Sequence, residues 1–254
     1  MPKHFFIIGA QRSGTSYLAQ ILDSHPQIEL AKPLRPEPKF FLKDIGGLDR
    51  SAYCARFFAA PKPGAKLFGE KSTSYLESIG AGQRIRTMCP DARLLILLRN
   101  PVDRAISNVR FSQSNGFEPL SLVDALQREL DRPEEVVSAQ HAGISVSPQA
   151  YLKRGRYVDF LQPYVDLFGR DKMGILITED FVGSSDAISQ LFRWLGVDNA
   201  FSPPNINNRI NAGEPVTSAP VPAGVRRRLR DYFSDVNGEL AARFDVDIDA
   251  WNAR

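Results

Sequence analysis

Apolar residues gather in four short runs rich in β-branched, leucine and aromatic side chains: FFIIG (5–9), KLFGE (66–70), ARLLILLR (92–99) and MGILITED (173–180). Each run gives way to a polar or Gly/Pro break and then to apolar residues at helical spacing, which predicts strands alternating with helices. Helices are expected over 14–23, where Tyr17, Leu18, Ile21 and Leu22 share one face, and over 75–88, 101–112, 120–130, 148–168 and 185–195. Two more are expected at 221–233 and 235–244. The segments 31–48, rich in Pro and Lys/Arg, and 196–220, dense in Asn, Pro and Gly, carry neither period and read as loops. Loops of that length inside a compact domain are often functional. The βαβ alternation predicts an α/β fold, a mostly parallel sheet with helices on both faces, in which ligands bind at the carboxyl ends of the strands.

Composition narrows the picture. One core serves a chain of 254 residues, and a single domain over 1–254 is expected. The apolar and charged fractions, 43% and 24%, are those of an ordinary globular protein. A net charge of +3 is too small for a general polyanion binder, so no nucleic-acid partner is expected and any anion site must be local. The apolar stretch in MPKHFFIIGAQ is too short for a secretory leader, and no run approaches the roughly 20 residues of a membrane span. A cytoplasmic location is the expectation. Two cysteines, Cys54 and Cys89, and three histidines, His4, His25 and His141, signal neither a disulfide framework nor a metal cluster. Two buried thiols and no metal are expected.

After the first strand the chain reads GAQRSGTS, which has the outline of a nucleotide phosphate loop with Thr15 in the lysine position and Arg12 inside the loop. Backbone N–H groups, the hydroxyls of Ser13, Thr15 and Ser16, and the start of the next helix all favour an anion there. Arg12 adds a planar fork of donors suited to phosphate or sulfate oxygens. A plain strand-to-helix turn with a surface arginine is the competing reading. After the third run, LLILLRNPVDRAISNVRFS gives Asn100 as a helix cap, Pro101 as a first helical residue and Asp103 against the helix dipole. Arg99 and Ser107 remain as candidates for one anion, against a capped helix that merely carries a surface arginine.

The loop RSGTS, then GEKSTSYL, then LLRNPVDRAISNVR, in this order and at these separations, resembles the sulfotransferase family that uses 3′-phosphoadenosine-5′-phosphosulfate (PAPS). The likeness covers 5–111 and continues through GRYVDFLQPYVDLFGRDKMGILITEDF (155–181) and WLG (194–196), with the heparan-sulfate-type enzymes and their small bacterial relatives as the nearest pattern. It implies a P-loop-like fold. It also implies that Gln11, Arg12, Ser13, Gly14, Thr15 and Ser16 form the 5′-phosphosulfate loop, and that Arg99 and Ser107 bind the 3′-phosphate. Lys71 matches a lysine placed near the sulfonate, and Glu37 in RPEPKFF matches the acidic residue that serves as general base. PAP is the implied product.

These implied roles suit the chemistry. Sulfonate transfer is an in-line displacement in which the protein aligns the acceptor and neutralises charge on the leaving phosphate. Arg12 and Lys71 supply that charge, and a carboxylate such as Glu37 takes the acceptor's proton. No bridging magnesium is needed, which removes the reason for a phosphate-loop lysine. Glu37 as a solvated loop charge and Lys71 as a surface residue at a strand end are the plainer readings. His25, a base in some members of the wider family, stands at a helix end before a proline, where histidine commonly caps carbonyls.

The heparan-sulfate-type enzymes carry a disulfide-bounded C-terminal loop, and this chain has no cysteine after Cys89. The corresponding region is NNRINAGEP (207–215), where Arg209 or Asn211 would contact the 3′-phosphate; a turn-rich surface loop is as good a reading. The acceptor, a glycan, lipid or other small molecule, is expected against 32–48 and 112–150, and neither segment names it. The oligomeric state is left open. Two alternatives stand beside a sulfotransferase: an ATP-dependent kinase, which needs the missing lysine, and a nucleotide- or glycan-binding protein without turnover.

Overall fold

Five strands, β1 (Lys3–Gly9), β2 (Ile28–Leu30), β3 (Leu67–Lys71), β4 (Arg93–Leu98) and β5 (Met173–Ile177), pair in parallel in the order β2-β3-β1-β4-β5. Their near-continuous apolar runs are what a parallel sheet buried on both faces requires. From β1 the chain builds outward to β3 and β2 on one side and to β4 and β5 on the other. The order therefore reverses beside β1, and the crevice outside its carboxyl end is the topological switch point where such sheets bind ligands.

The computed structural model describes residues 2–47, 49–132, 149–207 and 221–252. The chain divides into two compact units, one formed by 1–98 and 162–211, the other by 99–161 and 212–254. The first holds the whole sheet. On one face, Phe5 and Ile7 of β1 and Leu95 and Leu97 of β4 pack with α1 (Thr15–Ser24) and α8 (Ser185–Leu195), through Leu18, Leu22, Leu191 and Phe192. On the other, Phe6 meets Phe41 edge to face at 5.5 Å, and Tyr53 of α2 (Arg50–Phe57) joins the same aromatic group. Gly69 has no alternative: a Cβ there would lie 2.2 Å from the Phe5 ring and 2.6 Å from Leu30.

In the second unit, Asn100 caps α4 (Pro101–Ser114), its side chain accepting from the amides of Val102 and Asp103 at 3.0 and 3.4 Å. Arg104, 1% exposed, donates to Asn108 and to the Tyr151 carbonyl, and Arg154 donates to the same Asn108 oxygen at 3.1 Å. α5 (Leu122–Asp131) and α9 (Ala223–Phe244) belong to the same unit.

Several boundaries move. The run 173–180 stops being a strand at Ile177, because Thr178–Phe181 winds into a helical turn, α7, with the Thr178 hydroxyl 2.7 Å from the Leu98 carbonyl. The expected helices 221–233 and 235–244 are one, α9, since Val225, Leu229, Phe233, Val236, Leu240 and Phe244 keep an unbroken buried stripe past Ser234. The helix expected over 148–168 begins at Tyr157, as α6 (Tyr157–Phe168), after a single turn at Lys153–Gly155. A Cβ on Gly155 would meet Phe233 at 2.9 Å. That expected over 75–88 begins at Ile79, as α3 (Ile79–Met88), where Ser78 caps it. β2 and α2 were not anticipated: three residues carry no periodicity, and α2 announces itself only by its Asp49 cap. Of the two thiols, Cys89 is buried and Cys54 is half-buried.

His4 sits among Phe6, Tyr53, Phe58 and Phe68, with its Nδ1 2.9 Å from Arg50 and its Nε2 3.7 Å from the Cys54 sulfur. Burial first, and the Arg50 charge second, lower its pKa from 6.5 to about 4. Because the unfolded chain takes up this proton near 6.5 and the folded chain does not, the stabilisation is complete above that pH and is lost as pH falls toward 4. The loss is expected to be on the order of 3 kcal/mol. Denaturant unfolding at pH 7 and 4.5 should show a smaller pH dependence in His4→Phe than in the native chain; identical dependences would contradict this account.

Candidate active site

The carboxyl end of β1 runs directly into the GAQRSGTS loop and α1. Gly14 stands at the helix start with φ 85°, and Arg12 also takes a left-handed φ of 68°, a conformation that non-glycine residues adopt rarely and mostly at functional turns. No side chain caps α1 and no acidic residue lies in its first turn, so neither a cap nor the helix's own first-turn residues offset its positive end. Ser13 is fully buried, and its Oγ has no hydrogen-bond partner among the described residues, although its carbonyl lies 2.7 Å from the Thr178 hydroxyl. A buried hydroxyl in that condition calls for a partner. Gln11 donates to Ser74 at 3.1 Å, and Arg35 donates to Ser16 at 3.2 Å, so the loop touches both the β3 end and the 31–48 segment. Donors, a helix start and an orphaned hydroxyl are what an anion would use.

Lys71 closes β3, the strand beside β1, and its Nζ lies 2.9 Å from Glu37 Oε1, with the two side chains only 7% and 16% exposed. Thr73 completes the cradle: its amide donates to Glu37 Oε2 at 3.0 Å, and its hydroxyl lies 3.1 Å from both carboxylate oxygens. Neither residue is the solvated surface charge that sequence alone also allowed. A carboxylate offers about four lone-pair directions and three donors meet it among the described residues, which leaves one for an incoming hydroxyl.

The loop carrying Glu37 is fixed from below. Ala31 donates to the Gly69 carbonyl at 2.8 Å, Lys39 N donates to Ser72 Oγ at 2.9 Å, and Phe41 N donates to the Tyr75 hydroxyl at 3.0 Å. Both hydroxyls in turn donate to the fully buried Glu70. His25 lies elsewhere. It precedes β2, whose Ile28 pairs with Leu67 at the start of β3, so it sits at the amino end of the sheet while Lys71 marks the carboxyl end. Its Nδ1 accepts from Gln27 N at 3.0 Å, its Nε2 donates to the Asp198 carbonyl at 2.9 Å, and Phe192 and Phe201 pack edge-on against the ring.

The profile of the Sulfotransferase family matches residues 2–45 and 47–153, more than half of the chain. The chain belongs to the sulfotransferase family. A sulfotransferase from Alicyclobacillus acidocaldarius superposes with a TM-score of 0.78 at 28% identity, covering 99% of both chains. Heparan sulfate glucosamine 3-O-sulfotransferase 6 of Mus musculus is 34% identical over 102 residues, which are 40% of this chain and 28% of that protein. The bifunctional heparan sulfate N-deacetylase/N-sulfotransferase 1 of Caenorhabditis briggsae is 25% identical over 193 residues, 74% of this chain and 22% of that one. The chain thus spans about a quarter of the length of these two curated relatives.

The structure places Gln11, Arg12, Ser13 and Gly14 in the loop after β1 and Thr15 and Ser16 in the first turn of α1, and it joins Glu37 to Lys71 by direct contact. Arg99 and Ser107 fall in the second unit; the Arg99 carbonyl accepts from Tyr157 at 2.8 Å, and Ser107 lies in α4. Arg209 and Asn211 lie outside the described residues. No helix among the described residues is long and apolar enough to cross a membrane. Thr73, Tyr75 and Thr178 were missed from sequence. Thr73 lies in the turn just past β3, where strand alternation no longer applies, and all three depend on tertiary contacts. Replacing His25 by Ala should lower stability by about 2–4 kcal/mol, through lost packing and two lost hydrogen bonds. Thermal melts check this; an unchanged melting temperature would contradict a structural part for His25.

Proposed function

We propose that this chain transfers a sulfonate from PAPS to a hydroxyl, or less readily an amine, of an acceptor molecule, with Glu37 as general base. The observation that carries the reading is the Lys71–Glu37 pair at the carboxyl end of β3, 2.9 Å apart and braced by Thr73. PAPS, when bound, supplies an electron-poor sulfur whose bond to the 5′-phosphate oxygen breaks as the bond to the acceptor oxygen forms. Glu37 takes the acceptor's proton as that oxygen attacks. Lys71 and Arg12 counter the charge that develops on the departing phosphate, and the amides at the start of α1 with Ser13, Thr15 and Ser16 hold it in line. PAP and the sulfated acceptor are the products. No step here needs a metal ion.

The names of the relatives favour a glycan as acceptor, with a lipid or a secondary metabolite behind it. The 3′-phosphate is assigned to Arg99 and Ser107, and more weakly to Arg209, by the sequence resemblance alone. An ATP-dependent kinase has less support, because Thr15 replaces the lysine that would reach the outer phosphates.

Turnover of labelled PAPS with glucosamine oligosaccharides, a lipid alcohol and a phenol tests the activity and sorts the acceptors; PAPS left intact across the whole panel would speak for a binding protein. Glu37→Gln keeps an oxygen for Lys71 and Thr73, so it should fold, hold PAP within about twofold and lose at least about 100-fold in kcat. Unimpaired turnover would move the base elsewhere. Arg99→Ala should weaken PAP by about tenfold or more and adenosine 5′-phosphosulfate, which lacks the 3′-phosphate, by far less. Equal losses would remove Arg99 from the 3′-phosphate.

A further inference from the structure

Glu70, in β3 opposite Phe6 of β1, is wholly buried and has no surface to offer a substrate. Its Oε2 accepts from the Tyr53 hydroxyl at 2.6 Å; its Oε1 accepts from Ser72 Oγ at 2.7 Å and from the Tyr75 hydroxyl. Each hydroxyl has one proton, and giving it to the carboxylate leaves only lone pairs to present on the other side. Those lone pairs receive Lys39 N and Phe41 N, two and four residues beyond Glu37. Lys39 sits at φ 50°, a left-handed turn that needs such an anchor to persist. A residue that donated in place of Glu70 would turn the hydroxyls around and leave both amides without acceptors.

We infer that Glu70 is a positioning residue for the proposed base: through Ser72 and Tyr75 it fixes the 39–41 backbone so that Glu37 meets Lys71 and Thr73. The inference rests on Glu37 acting as the base. Burial raises the pKa of Glu70, its three hydroxyl donors pull the other way, and the nearby Glu37 charge adds to the rise. The network is thus a buried polar cluster in which the hydroxyls of Tyr53, Ser72 and Tyr75 are all directed at one carboxylate, the condition under which such clusters specify one geometry.

The test uses the full chain with three replacements, Glu70→Gln, Tyr75→Phe and Ser72→Ala, the last two chosen because they remove single oxygens and should fold even if the first does not. Amide hydrogen exchange needs no acceptor molecule: Tyr75→Phe should speed exchange at Phe41, and Ser72→Ala at Lys39, by about tenfold or more. Calorimetry should find PAP affinity within about twofold of native. With PAPS and a glucosamine oligosaccharide, Tyr75→Phe should lower kcat about tenfold at unchanged KM for PAPS, but less than about threefold when Glu37 is already Gln. Native protection at both amides overturns the inference, and so does an equal loss of kcat in the two backgrounds. If Glu37→Gln alone leaves turnover intact, the base assignment fails, while faster exchange at Lys39 and Phe41 still upholds Glu70 as the anchor of that loop.

Discussion

A lysine and a glutamate withdrawn from water beside each other are stable only while each has the other. Removing one partner of such a pair typically costs about 3–5 kcal/mol, because the remaining charge is stranded. In this chain the pair joins segments 34 residues apart in sequence, Glu37 from a Pro-rich loop and Lys71 from the end of β3, and this contact converts that loop into part of the sheet's upper edge. Much of the surrounding architecture serves the meeting. Gly69 lets Phe5 and Leu30 close over β3, Ala31 extends the β2 ladder by one hydrogen bond, and the buried hydroxyls of Ser72 and Tyr75 hold the chain just past Glu37.

The second constraint is the phosphate loop. A lysine at position 15 would serve a triphosphate with its metal; Thr15, 6% exposed, points to a different ligand. What the loop retains are the uncapped start of α1, the left-handed turns at Arg12 and Gly14, and the orphaned Ser13 hydroxyl. Those features suit a small anion gripped by backbone and hydroxyls. In the proposed reading, Lys71 from the neighbouring strand supplies the charge that a loop lysine supplies in triphosphate-binding proteins.

The strands and their order of appearance were legible because parallel strands are apolar on both faces, and the loop was legible because its glycine and hydroxyl spacing is short-range. What was not legible depended on distant residues. β2 is too short to show a period and exists because Ile28, Glu29 and Leu30 pair with β3. The C-terminal helix looked divided at Ser234, but a side chain that only weakly opposes helix is overruled by a continuous buried stripe. His25, a base in some members of the wider family, was legible as a helix-end residue that caps carbonyls, and one helix length carries it to the other end of the sheet, where it meets the Asp198 carbonyl. Glu70 drew none, since a glutamate within an apolar strand gives no hint of the three hydroxyls that surround it.

In the proposed reading, this loop and its lysine–glutamate neighbour serve a 3′-phosphorylated adenylate donor without a metal. Calorimetric titration of the full chain with PAP, and separately with ATP and magnesium, tests it most directly. PAP should bind in the micromolar range or tighter with no magnesium present, and ATP–magnesium at least about 100-fold more weakly, a gap of roughly 2.7 kcal/mol. ATP–magnesium binding as well as PAP, or better, would contradict it.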